Sequence, residues 1–124
     1  MICTGRVSDE DLRLLYGAAL ATVYVPTLEG FGIPIVEAQK CECPVITSNV
    51  SSMPEVAGDA ALLVDPFNVN DINKAMQEVW KDRSLRISLA YLGRKNLQRF
   101  SWDRSAEKLW DTLVETAQVA KKTA

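Results

Sequence analysis

The sequence predicts an α/β fold: a Rossmann-like parallel sheet with flanking helices, followed by C-terminal helices. Three observations carry that expectation. Short apolar, β-branched runs at 21–26, 44–47 and 61–64 alternate with helix-like segments. The first run, Ala21-Thr-Val-Tyr-Val-Pro26, has the continuous apolar character of a strand buried on both faces of a parallel sheet. It then stops at a glycine-rich turn that opens into a helix.

The elements follow in order. Ser8 is suited to cap a helix through about Ala19, with acidic Asp9, Glu10 and Asp11 in its first turn and Leu12, Leu15, Ala18 and Ala19 as its inner stripe. Ile33 to Lys40 has no internal turn signal and reads as a helix. Pro44 to Thr47 is the next short buried strand. Pro54 suits the first turn of a short helix ending at Gly58. Ala61 to Val64 is a further strand, closed by Asp65-Pro66.

From Asn70 onward the pattern is helical. Asn70 or Asp71 caps a helix to about Trp80, with Ile72, Ala75, Met76 and Val79 as its apolar stripe. Arg83 to Phe100 carries Leu85, Leu89, Leu92 and Leu97. Ser101 caps a last helix beginning near Trp102 and presenting Ala106, Leu109, Trp110 and Leu113, and Lys121, Lys122 and the chain end read as a frayed tail. No internal repeat or low-complexity segment is visible.

Composition narrows the function classes. A net charge of −2 and a pI near 5.1 offer nucleic acid and anionic membranes no general attraction. No apolar run approaches the roughly 18 residues that span a bilayer, and no signal peptide opens the chain, so a cytoplasmic location is expected. Three cysteines are an odd number and suggest no disulfide framework. A zinc reading of Cys41-Glu42-Cys43 needs more ligands, because His is absent and only Cys3 remains as a third sulfur. No metal site is expected, and the thiols read as free and buried or half-buried.

The chemistry concentrates in Glu29-Gly-Phe-Gly-Ile-Pro-Ile-Val-Glu37, where two carboxylates bracket two glycines at the junction of strand and helix. Free N–H groups of a helix's first turn, together with the helix dipole, favour an anion such as a phosphate. Glu29 would lie beside whatever occupies the turn. Glu37 falls in the second helical turn, where a carboxylate can accept from paired hydroxyls such as those of a ribose. Taken singly, each Glu also reads as a solvated surface charge. The residues alone define an anion-binding turn with two acceptors.

Glu29 to Ala38 resembles the E-x7-E motif of the group 1 (family 4) retaining glycosyltransferases. The similarity continues through Pro44-Val-Ile-Thr-Ser-Asn49, Ser51-Ser-Met-Pro-Glu-Val56, Gly58-Asp-Ala-Ala-Leu-Leu-Val-Asp-Pro66 and Phe100-Ser-Trp102, with Val7-Ser-Asp-Glu-Asp-Leu12 upstream. It covers about residues 4–115. The resemblance implies GT-B architecture, two Rossmann-like domains with a nucleotide-diphosphate sugar held mainly by the C-terminal one. It implies transfer of a glycosyl group from that donor to an acceptor with retention of configuration.

By the same resemblance Glu37 holds the ribose and Glu29 contacts the donor sugar as the catalytic carboxylate. The backbone at Gly30, Phe31, Gly32 and Ile33 meets the sugar or diphosphate. No metal or other cofactor is expected, the nucleotide sugar being substrate. Thr47, Ser48 and Asn49, at a strand's carboxyl end, read either as nucleotide contacts or as turn residues, and Ser48 is taken into the site. Glu55 reads as a loop cap rather than a donor contact. One departure stands out: where the family has Cys-Gly-x-Pro, this chain has Cys41-Glu42-Cys43-Pro44, which puts a non-glycine residue where a left-handed conformation is common.

At 124 residues the chain is expected to be part of a C-terminal nucleotide-sugar domain, without an N-terminal acceptor domain and inactive alone. A glycan or glycolipid acceptor would then be reached through that other domain, and the full-length enzyme would be cytoplasmic or peripheral to the membrane. The family's terminal helix crosses to the other domain, so Trp102 and Trp110 are expected to be exposed and to favour self-association. Two other readings remain: a non-catalytic nucleotide-binding or interaction fragment, and a related GT-B nucleotide-sugar enzyme. The sequence distinguishes neither the sugar, the base nor the acceptor.

Overall fold

The computed structural model describes residues 1–123, with side chains through residue 119. Three parallel strands, β1 (Thr22–Tyr24), β2 (Val45–Ser48) and β3 (Ala61–Val64), lie in the order β1-β2-β3. Thr22 pairs with Val45, which pairs in turn with Ala61. Helices α2 (Ile33–Lys40) and α3 (Met53–Ala57) make the two crossovers, as parallel neighbours require.

Side chains alternate across β2, and each face has its own core. Val45 packs with Ile35, Ala38, Met53 and Val56 from α2 and α3. Ile46 packs with Val64, with Ala75 and Val79 of α4 (Val69–Lys81), and with Leu89 of α5 (Arg83–Asn96). The chain is therefore the doubly wound α/β unit that its sequence predicts.

Several local expectations need correction. Of the three strands only β2 is buried throughout, while Val23 in β1 is 44% exposed. In the described sheet β1 is an edge strand, with a neighbour on one side only. On α1 (Asp9–Ala18), capped by Ser8 as expected, Leu12 is half-buried but Leu15, Ala18 and Ala19 are exposed. Tyr16 takes their place in the packing against α2.

The cap of α4 is Asn68, two or three residues before the expected one, because its Oδ1 accepts from the amides of both Asn70 and Asp71. Asp71 instead accepts from the Asp65 amide at the end of β3, at 2.8 Å. Met76, expected in the stripe, is exposed. The segment expected as one helix to Phe100 ends at Asn96 and tightens into a 3₁₀ turn, Leu97–Arg99. The last helix, α6 (Trp102–Thr123), runs through the expected frayed tail. Trp102 and Trp110 are 90% and 66% exposed.

The glycine-free turn after α2 is resolved in favour of strain. Glu42 holds φ +57°, the left-handed conformation that a glycine would adopt freely. Its carboxylate lies 3.5 Å from the Arg94 guanidinium in an exposed pair, worth little by itself. Cys41 is half-buried and Cys43 buried, as expected, whereas Cys3 is exposed. Burial pushes the Cys43 thiol above its ordinary value, and Thr22 Oγ1 at 3.3 Å partly opposes that.

Candidate functional site

The turn between β1 and α2 lies at the carboxyl edge of the sheet, where open α/β sheets collect ligands. Gly32 is the N-cap of α2, at φ +101°. A Cβ there would meet the Met53 methyl at 2.6 Å, so that buried side chain would have to shift, and the dihedral itself favours glycine. Pro34 follows in the first helical turn, where its missing N–H costs nothing. Among the described residues, the amides of Gly30, Phe31, Gly32 and Ile33 donate to no protein acceptor. Gly30, Phe31 and Ile33 are exposed while Gly32 is buried, so the donors open to an anion at this helix start are those of the exposed residues.

The two carboxylates flank these amides on different elements. Glu29 is half-buried beside the phenol of Tyr24. Desolvation and then the Glu29 carboxylate raise the Tyr24 pKa above 10.0. Glu37 is exposed on α2, and the Tyr16 hydroxyl lies 3.5 Å from its Oε2. Burial and then Glu37 raise Tyr16 in the same direction. Glu37 opens onto a cleft of about 320 Å³ between α1 and α2, lined also by Leu12, Arg13, Tyr16 and Lys40. A second shallow cleft, near Arg83 and Pro44, lies at the opposite end of the strands and touches none of these residues.

Ser48 apart, the predicted residues lie in one contiguous stretch of the chain. Glu29, Gly30, Phe31, Gly32, Ile33 and Glu37 form one continuous turn and helix start. Ser48 sits at the end of β2, fully buried, and its hydroxyl has no partner among the described residues. Asn49 is exposed, and the Glu55 side chain faces solvent while its carbonyl accepts from Arg99.

Tyr16, Tyr24, Ser51, Ser52 and Phe100 are neighbours of the site to which the sequence assigned no role there, although Ser51, Ser52 and Phe100 lie in stretches that carry the family resemblance. Phe100 meets Phe31 edge to face, with ring centroids 5.7 Å apart. Tyr16 sits where the helical period of α1 carries its inner face, so it was the one within reach of pattern reading. Among the described residues, no group of three His, Cys, Asp or Glu side chains converges to hold a metal.

The chain thus presents a doubly wound sheet with a row of unpartnered amides between two carboxylates. A family profile for glycosyl transferases group 1 matches residues 1–96, and the chain belongs to that family. It is 46% identical over 99 residues to an O-antigen chain mannosyltransferase B of Escherichia coli, covering 80% of this chain and 26% of that protein. It is 31% identical over 122 residues to the serotype-specific mannosyltransferase WbdA of E. coli, covering 98% of this chain and 15% of that one.

Among solved structures, sucrose-phosphate synthase from Thermosynechococcus elongatus superposes with a TM-score of 0.77 at 29% identity, over 91% of this chain and 30% of that one. The fold is that of the Rossmann-like C-terminal domain of a GT-B enzyme. The chain spans between about a seventh and a third of the length of these proteins.

Proposed function

We propose that this chain supplies part of the donor site of a retaining glycosyltransferase that moves a hexosyl group, mannosyl by analogy with its named relatives, from a nucleotide-diphosphate sugar to a growing glycan. The observation that carries this reading is the row of four unpartnered amides at residues 30–33, bracketed by Glu29 and Glu37. The diphosphate sits on these amides, the ribose hydroxyls donate to Glu37, and Glu29 accepts from the sugar hydroxyls. As the glycosidic bond breaks, negative charge grows on the departing diphosphate. Fixed amide dipoles and the α2 dipole stabilise that charge most when it is fully developed, which is what lowers a barrier.

In this reading the amides do the work of a divalent cation, so a chelator leaves binding unchanged. Among the described residues no helix is long and apolar enough to cross a membrane. The enzyme is proposed to work in the cytoplasm or at a membrane surface, with its acceptor bound by a further domain. The exposed Trp102–Trp110 side of α6 is proposed to associate with a second copy when that domain is absent.

The test is a calorimetric titration of the chain with UDP, GDP and ADP. Saturable binding of one of them supports the donor site and names the base. Failure of all three rules out a donor site held by these residues alone.

A further inference from the structure

The turn that carries these amides is hydrogen-bonded to residues outside it. Ser51 and Ser52, between β2 and α3, reach back to the turn across 22 residues of sequence. The Glu29 amide donates to Ser51 Oγ at 3.2 Å, and Ser51 Oγ donates to the Glu29 carbonyl at 2.8 Å. Ser52 Oγ lies 2.8 Å from the same carbonyl and 3.2 Å from the carbonyl of Phe31, so its one hydrogen is shared between two acceptors. Ser51 does this from φ +59°, a left-handed conformation that serine adopts only under constraint.

A planar trans peptide fixes the consequence. Within one peptide unit the C=O and the following N–H point in opposite directions. Drawing the Glu29 carbonyl onto the serines turns the Gly30 N–H away from them, and drawing the Phe31 carbonyl does the same for Gly32. These are two of the four amides without a protein acceptor. We propose that Ser51 and Ser52 are positioning residues, a hydroxyl strap that holds the 29–32 turn so that the exposed Gly30 amide faces the donor diphosphate. The donor's identity in this statement rests on the reading under Proposed function; the strap itself does not.

The left-handed backbone of Ser51 supplies a test that separates positioning from stability. Ser51→Gly and Ser51→Ala both delete the Ser51 half of the strap, but glycine relieves the positive φ and alanine keeps it. Amide hydrogen exchange over residues 29–33 and nucleoside diphosphate titration are measured on wild type, both Ser51 variants and Ser52→Ala. Exchange at the Glu29 amide should quicken by about tenfold in both Ser51 variants, as loss of one hydrogen bond implies.

Affinity should fall by about five- to tenfold in both, although Ser51→Gly is at least as stable as wild type to urea. Unchanged exchange, or an affinity that follows stability so that Ser51→Gly binds like wild type, overturns the proposal. Faster exchange in the variants of a chain that binds no nucleotide supports the strap and overturns the donor reading instead.

Discussion

Gly32 and Met53 occupy one another's space: the Met53 methyl sits 2.6 Å from where a side chain on residue 32 would begin. Met53 is fully buried beneath the turn, in the core that α2 and α3 share with β2. Gly32→Ala is therefore predicted to cost about 2 kcal/mol, half from the left-handed backbone and half from displacing Met53. In a Met53→Ala background the steric half disappears. A double-mutant cycle by urea unfolding should give a coupling of about 1 kcal/mol, and additive effects would mean that the turn yields without touching Met53.

Asn96 ties three elements together from α5. Its Nδ2 donates to Gln39 Oε1 at 2.9 Å and to the Val56 carbonyl at 2.8 Å, and its Oδ1 accepts from Arg99 at 2.8 Å. The site is nearly closed to water, so deleting the amide leaves buried groups unpaired. Asn96→Ala is predicted to cost about 2–3 kcal/mol, read as a lower urea midpoint at an unchanged slope.

Glu42 gives the opposite sign. Its φ of +57° is the kind of strain that glycine removes, and its pair with Arg94 is too exposed to offset the gain. Glu42→Gly should stabilise the chain by about 1 kcal/mol. A thermal midpoint that falls would show the exposed pair to matter more than the backbone.

Alkaline pH should weaken the fold through the two tyrosines near the carboxylates. Tyr16 and Tyr24 are raised above 10.0 and Cys43 above 9.0, in each case chiefly by burial, with Glu37 and Glu29 adding to the two phenols. A raised folded-state value means that the unfolded chain loses its protons first. The stability these groups contribute is complete below pH 9 and is lost as pH climbs through the thiol and phenol range. Urea unfolding at pH 8 to 11 should show that decline, and it should be shallower in Tyr16→Phe.

Much of the fold was legible because its signals are local. The start of α2 at Ile33, the caps at Ser8 and Ser101, and the β2 and β3 runs all follow from neighbouring residues. The bracket of Glu29 and Glu37 was legible for the same reason. Residues whose roles depend on distant partners were not. Ser51 carries no sign in the sequence that it bonds residue 29, and Ser48 at a strand end looks the same whether buried or open. The exposure of Val23 likewise follows from sheet order, which no periodicity within β1 encodes.

The central claim is that the two carboxylates read different halves of one ligand. It is tested most directly by calorimetric titration of wild type, Glu37→Gln and Glu29→Gln, each with a nucleoside diphosphate and with the matching nucleotide sugar. Glu37→Gln should weaken both ligands by about tenfold, or ~1.4 kcal/mol. Glu29→Gln should weaken only the nucleotide sugar. Equal losses for both ligands in both variants, or none in either, would contradict the assignment.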